Sequence, residues 1–188
     1  QAILFDNEYW IADSLAGLSK YSNGQFAGYQ PDAPPDIASG SMQVVHNTLW
    51  AAAGHVTGNW EPANNTNGIY TFSENSWSWF NGSNYAALDS FPDVMAVAVD
   101  PSNNSVWAGS FGGGLANIKP DNTITIFKKG SAIQPAYFAA NSYRVSGLTF
   151  DKDQHLWIAN YGADQALVVK KADGSWRAFT IPFAISEH

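Results

Sequence analysis

The stretch His155–Phe179, HLWIANYGADQALVVKKADGSWRAF, decides the fold. An apolar run around Trp157 ends in small and polar residues. A glycine-bearing connection then leads to a second apolar run, and Asp173-Gly174 leads to a third that holds Trp176 and Phe179. Asp-Gly tolerates the positive φ values that a tight hairpin needs, so the segment reads as successive antiparallel strands. The plan occurs three times earlier, as EYWIADSLAGLSKYSNGQFAGY (8–29), TLWAAAG with NGIYTFSENSWSWF (48–54 and 67–80), and SVWAGSFGGGLANIKPDNTITIF (105–127). Trp10, Trp50, Trp107 and Trp157 anchor the units, 40, 57 and 50 residues apart, which is the period of propeller blades.

Each unit divides into four strands. The first, AILFD, SMQVVH, MAVAVD or VSGLTFD, precedes the tryptophan, and the second carries it. The third reads GLSKYS, GIYTFS, GLANIKP or ALVVKKA. NG, EN, DN or DG then turns the chain into the fourth. The expected architecture is all-β: a β-propeller segment of about four four-stranded antiparallel blades over residues 1–188, with blades near 1–31, 38–82, 92–130 and 144–182. The fourth strands repeat a pair of large apolar residues three apart, Phe26/Tyr29, Trp77/Phe80, Ile124/Phe127 and Trp176/Phe179. Residues three apart on a strand face opposite sides, so one of each pair is expected between blades.

Composition agrees. Of the 188 residues, 45% are hydrophobic and only 13% charged, with eight Trp and sixteen Gly. That composition suits short strands and turns better than Lys/Glu-rich helices. A net charge of -7 opposes nucleic-acid and anionic-membrane binding, because phosphate contacts need a basic patch. The absence of cysteine excludes disulfide, thiolate-metal and cysteine-nucleophile chemistry. No apolar run is long enough for a membrane span.

Four units leave three expectations open: a closed four-blade ring, an arc cut from a longer propeller, or two arcs associating. The cut arc is preferred, with self-association through its open blade faces.

VWAGSFGGGLANIKPDNTITIF and LWIANYGADQALVVKKADGSW resemble the two-component-regulator propeller repeat, with its aliphatic-Trp core, Gly-Leu step and aromatic strand. YWIADSLAGLSKY and GLTFDKDQHLWIANYGADQALVVKKADGSW are most similar to the N-terminal propeller region of PorZ-type proteins of the type IX secretion system. The resemblance covers all four units and is weakest in the second. It implies a secreted, periplasmic or cell-surface module of Bacteroidetes-like bacteria. Its implied partners are a cell-surface glycan or lipopolysaccharide and other secretion-system proteins. The same repeat also implies an alternative role as a glycan-sensing ectodomain of a hybrid sensor kinase.

Two segments exceed their counterparts, HVTGNWEPANNTN (55–67) and GSAIQPAYFAANSY (130–143). Insertions in repeat proteins form loops, and binding residues concentrate there. The candidate ligand-binding residues are accordingly His55, Trp60 and Tyr137 from these insertions, with Asp13, Ser110 and Asn160 at the ends of tryptophan-bearing strands and Tyr161 beside them. Polar strand ends around one mouth would hydrogen-bond hydroxyl-rich ligands while Trp60 or Tyr161 stacks on a sugar face. The alternative for Asp13, Ser110 and Asn160 is strand capping.

Catalytic and metal signatures are weak. GSFGGGLAN (109–117) lies between strands, whereas a phosphate cradle needs a following helix. Asp6, Asp100, Asp151 and Asp153 occupy first-to-second-strand turns, where Asp accepts backbone N–H groups. DKDQH at 151–155 lacks the later ligands of a calcium loop. A propeller lyase or lactonase is the enzymatic alternative, but Glu8, Glu61, Glu74 and Glu187 show no recurrent placement. The expectation is therefore a non-catalytic binding or assembly module with no cofactor and no metal.

Overall fold

The computed structural model describes residues 2–13, 17–29, 32–36 and 40–182. All regular structure there is β-strand, apart from one 3-10 turn at Ala86–Leu88. No helix among the described residues is long and apolar enough to cross a membrane. The chain divides into two compact units, Gln1–Ala33 and Pro34–His188.

The first unit is one antiparallel sheet, β1 (Ala2–Phe5), β2 (Glu8–Asp13), β3 (Gly17–Ser22) and β4 (Gln25–Tyr29), in sequential order. The second holds three blades of the same kind. Blade two is β5 (Met42–Val45), β6 (Thr48–Ala52), β7 (Ile69–Ser73) and β8 (Ser76–Phe80). Blade three is β9 (Val94–Val99), β10 (Val106–Gly112), β11 (Gly114–Ile118) and β12 (Ile124–Phe127). Blade four is β13 (Tyr143–Phe150), β14 (Leu156–Tyr161), β15 (Leu167–Lys170) and β16 (Trp176–Phe179).

Turn chemistry separates the blades into two styles. Asp6-Asn7, Asn23-Gly24, His46-Asn47 and Glu74-Asn75 each place two consecutive residues at positive φ, which is the two-residue hairpin turn whose twist matches that of the strands. Blades three and four instead use longer turns closed by aspartate. Oδ1 of Asp100, Asp121, Asp151 and Asp173 accepts the N–H two residues on, from Ser102, Thr123, Asp153 and Ser175. Two expected N–H acceptors behave otherwise: Asp6 holds the left-handed position of a two-residue turn, and Asp153 meets Lys152.

The core of the second unit lies between its blades. Each anchor tryptophan packs on the fourth-strand aromatic of its own blade: Trp10 on Tyr29 at 5.3 Å, Trp50 on Phe80 at 5.8 Å, Trp107 on Phe127 at 5.5 Å and Trp157 on Phe179 at 6.1 Å. The other member of the three-apart pair faces the opposite side. Trp176 of blade four meets Trp107 and Phe127 of blade three, and Ile124 of blade three joins Trp50 and Phe80 of blade two in one cluster.

Within the second unit, backbone and side chains also tie the blades together. Phe111 and Gly112 pair with Arg144 and Tyr143, joining blades three and four in one sheet. Gly54 N–H donates to Val94 O, and Ser41 N–H to Met95 O. Ser41 Oγ and Gln43 Oε1 accept the N–H groups of Val97 and Val99, satisfying outward donors of β9 with side chains of the preceding blade.

Candidate functional site

Within the second unit the two insertions meet. Residues 55–67 form a small hairpin closed by the Val56–Pro62 bridge, with Thr57 N–H donating to Glu61 O and Trp60 N–H to Thr57 O. Trp60 sits near its tip at φ 56°, a conformation a bulky side chain adopts only when its surroundings impose it. The base of the loop is pinned by Asp93. This fully buried carboxylate accepts N–H bonds from Asn64 at 2.9 Å and Asn65 at 2.7 Å. Such charge-assisted bonds are the strong ones, so the loop is held at its base while its tip stays at the surface.

The second insertion is pinned from β14. Asn160, also fully buried, accepts from Gln134 N–H at 2.8 Å through Oδ1 and donates through Nδ2 to Gln134 O and Arg144 O. Tyr137 N–H donates to Gly162 O. Gly162 is required here: its φ is 71°, and a Cβ would lie 2.9 Å from the Phe138 ring.

The pinned loops assemble an aromatic face. Trp60 stacks on Tyr161 at 5.9 Å with 14° between the ring planes, and both contact Phe111. The Arg144 guanidinium lies over Phe111 at 4.9 Å and over Phe138 at 4.8 Å, and Phe138 meets Tyr137 edge-on. Trp60 is 51% exposed and Tyr137 64% exposed, with Phe138 and Tyr161 also exposed. Beside Tyr137 a cavity of about 320 Å³ is lined by Gln134, Pro135, Ala136, Ala140 and Asp164.

Arg144 organises the underside. It is buried, donates from Nη2 to Glu61 Oε2 at 3.1 Å and from Nε to Ser142 Oγ, and so links both insertions. Stacking between two rings suits a planar, weakly hydrated guanidinium.

The candidates read from the sequence separate into three groups. Trp60, Tyr161 and Tyr137 belong to the aromatic face. Ser110 and Asn160 are fully buried, and their polar atoms bond within the chain: Ser110 Oγ donates to Pro92 O and accepts from Gly113 N–H. Their geometry is that of strand capping rather than of a mouth lined with free hydroxyls. His55 is exposed at the start of the first insertion, and Asp13 ends β2 with a side chain outside the described part of the structure.

Arg144, Glu61, Asp93 and Phe111 were not picked out from the sequence. Arg144 is one of only two arginines and the only charged residue of β13, which is a usable signal for a buried cation. The role of Asp93 depends on a loop 28 residues earlier and has no local signature.

Asp151, Asp153 and His155 bring ligand-type atoms within 4.8 Å of one another. Asp151 is already engaged, accepting from Trp157 Nε1 at 2.8 Å and from the N–H groups of Asp153 and His155. These bonds, that from Trp157 foremost, hold its carboxyl at about 2, below the ordinary aspartate value.

No protein-family model and no curated protein matches the sequence. Solved structures do. PorZ, a bacterial surface component of the type-IX secretion system of Porphyromonas gingivalis, matches 94% of this chain over 25% of its own, with TM-score 0.70 and 22% identity. The extracellular domain of a protein described as a hybrid two-component system from B. thetaiotaomicron matches 95% of this chain over 22% of its own, with TM-score 0.53 and 17% identity. That of a protein described as a one-component system from the same organism gives 0.53, 18% identity and 94% over 21%. The chain thus spans about a quarter of the length of these proteins, and at such identities the likeness is one of fold: an all-β, propeller-type segment.

Proposed function

We propose that the chain is a non-catalytic binding or assembly module of a secreted or surface protein, and that the face bearing Trp60, Tyr161, Tyr137 and Phe138 holds a carbohydrate of the bacterial surface. The observation that carries this reading is the convergence of two separate insertions on one exposed aromatic face, with Trp60 held in a left-handed conformation by bonds that leave its ring outward. Sugar rings present C–H faces that pack on aromatic rings, while the nearby carboxylate of Asp164 can meet hydroxyls. A non-catalytic role is favoured because two of the carboxylates near the face are already engaged: Glu61 with Arg144, and Asp93 with two backbone amides. The fold likeness to PorZ, a bacterial surface component of the type-IX secretion system, supports a surface setting.

Titration with lipopolysaccharide-derived oligosaccharides, followed by tryptophan fluorescence, tests the reading. Binding that weakens at least tenfold in Trp60→Ala, with thermal unfolding unchanged, supports it. Binding indifferent to Trp60→Ala and Tyr137→Ala rejects it.

A further inference from the structure

The cavity beside Tyr137 holds a charge that the fold does not use. Seven aspartates lie between residues 92 and 182, and six of them are engaged. Asp93, Asp100, Asp121, Asp151 and Asp173 accept backbone N–H groups, and Asp153 meets Lys152. Asp164 is the seventh. It is exposed, and among the described residues its carboxylate has no hydrogen-bond or ion-pair partner.

The backbone on either side of Asp164 is nonetheless fixed. Before it, Ala163 N–H donates to Asn160 O, and Gly162 O accepts from Tyr137 N–H. After it, Gln165 N–H donates to Gln134 Oε1, while Gln134 Nε2 donates to Gln165 Oε1. The connection between β14 and β15 is thus clamped to the second insertion, and the cavity is lined by these two segments of the second unit alone. The same bonds occupy the side-chain amide of Gln134. Asp164 is therefore the one charged group of a lining otherwise made of alanine, proline and tyrosine.

A neutral ligand entering here strips water from an unpaired carboxylate, and covering a charge without a counter-charge is costly. An ammonium group removes that cost: it makes a charge-assisted hydrogen bond to the carboxylate and sits favourably beside an aromatic ring such as Tyr137. Arg144 does not serve as the counter-charge, because it is buried and paired with Glu61. A net charge of -7 favours a cationic ligand further. At about 320 Å³ the cavity is at the small end of ligand sites, which suits a single sugar residue. Taking the aromatic face to hold carbohydrate, as proposed above, we infer that this cavity receives an amino sugar of the glycan with its amine free, the ammonium resting on the Asp164 carboxylate.

Calorimetric titration with a β-1,4-linked glucosamine tetrasaccharide and with its N-acetylated counterpart tests this, at about pH 5.5, below the range in which such amines lose their proton. The amine form should bind about tenfold more tightly than the acetylated one. Asp164→Asn should bring the two within about threefold with thermal unfolding unchanged, and Asp164→Lys should abolish binding of the amine form while sparing the other. Equal affinity for the two forms, weakened in both by Trp60→Ala, overturns the amino-sugar site and leaves the carbohydrate reading standing. An amine preference lost in Asp164→Asn but indifferent to Trp60→Ala supports the ammonium site and counts against stacking on Trp60. Binding of neither form, or a preference that survives Asp164→Asn, overturns the inference. So does Nα-acetyl-lysine methylamide binding as tightly as the amine tetrasaccharide, which would assign the cavity to a protein side chain.

Discussion

Asp151 shows at the residue scale how a repeat position that looks like a metal ligand serves the fold. Its carboxylate accepts an indole N–H and two backbone N–H groups, and its carboxyl stays ionised down to about 2. A carboxyl depressed in the folded state contributes stability that is present above its unfolded value near 4 and is lost as pH falls through about 2. Asp151→Asn should therefore flatten the acid limb of the thermal-stability profile between pH 4 and pH 2, as followed by circular dichroism. An unchanged limb would move the acid sensitivity to other carboxyls. Asp93 is the buried counterpart. Asp93→Ala leaves the Asn64 and Asn65 amides without their acceptor and should cost about 3 kcal/mol in urea unfolding. Asp93 cannot be ranked from local sequence, because an acid before a strand is usually a solvated turn residue and its partners come from the first insertion.

Strands and turns carry the next level of argument. The second strand of each blade carries a small residue two positions after its tryptophan, and in blade three that residue is Gly109, whose absent side chain admits Val145. Gly109→Ala should destabilise by about 2 kcal/mol through overpacking, read as a lower urea midpoint at unchanged slope. Ala159→Gly, at the exposed equivalent in blade four, should shift that midpoint by less than half as much. Four strands per unit and the tryptophan-to-aromatic pairing were legible in the sequence, because alternation and turn dipeptides act over a few residues. The two insertions were legible as interruptions of the repeat. That they meet was not, since it depends on Arg144 reaching Glu61, 83 residues away.

For the whole molecule the contrast between the two units is the governing fact. Every residue of β1 and β4 is exposed, whereas β10 and β11 are buried almost throughout. Amide exchange should accordingly be fastest in β1–β4 and slowest in β9–β11, by at least two orders of magnitude at neutral pH. Equal protection in all four blades at low concentration would mean that blade one is buried in the monomer.

By itself the sequence determined that this is an all-β repeat of four four-stranded units, which strands carry the anchor tryptophans, and where the loops lengthen. Those properties follow from side-chain alternation and turn conformation, both set by near neighbours. Only the tertiary structure decided which polar residues are spent. Ser110 and Asn160 look like a ligand-facing rim in the sequence, yet both are buried, Ser110 bonded to Pro92 O and Gly113 N–H and Asn160 spent in pinning the second insertion. Only the tertiary structure, too, brought Trp60, Tyr161, Tyr137 and Phe138 to one surface over a buried Arg144. The reason is physical: a buried polar group must find partners, and those partners are supplied by whichever distant segment the packing of blades brings near.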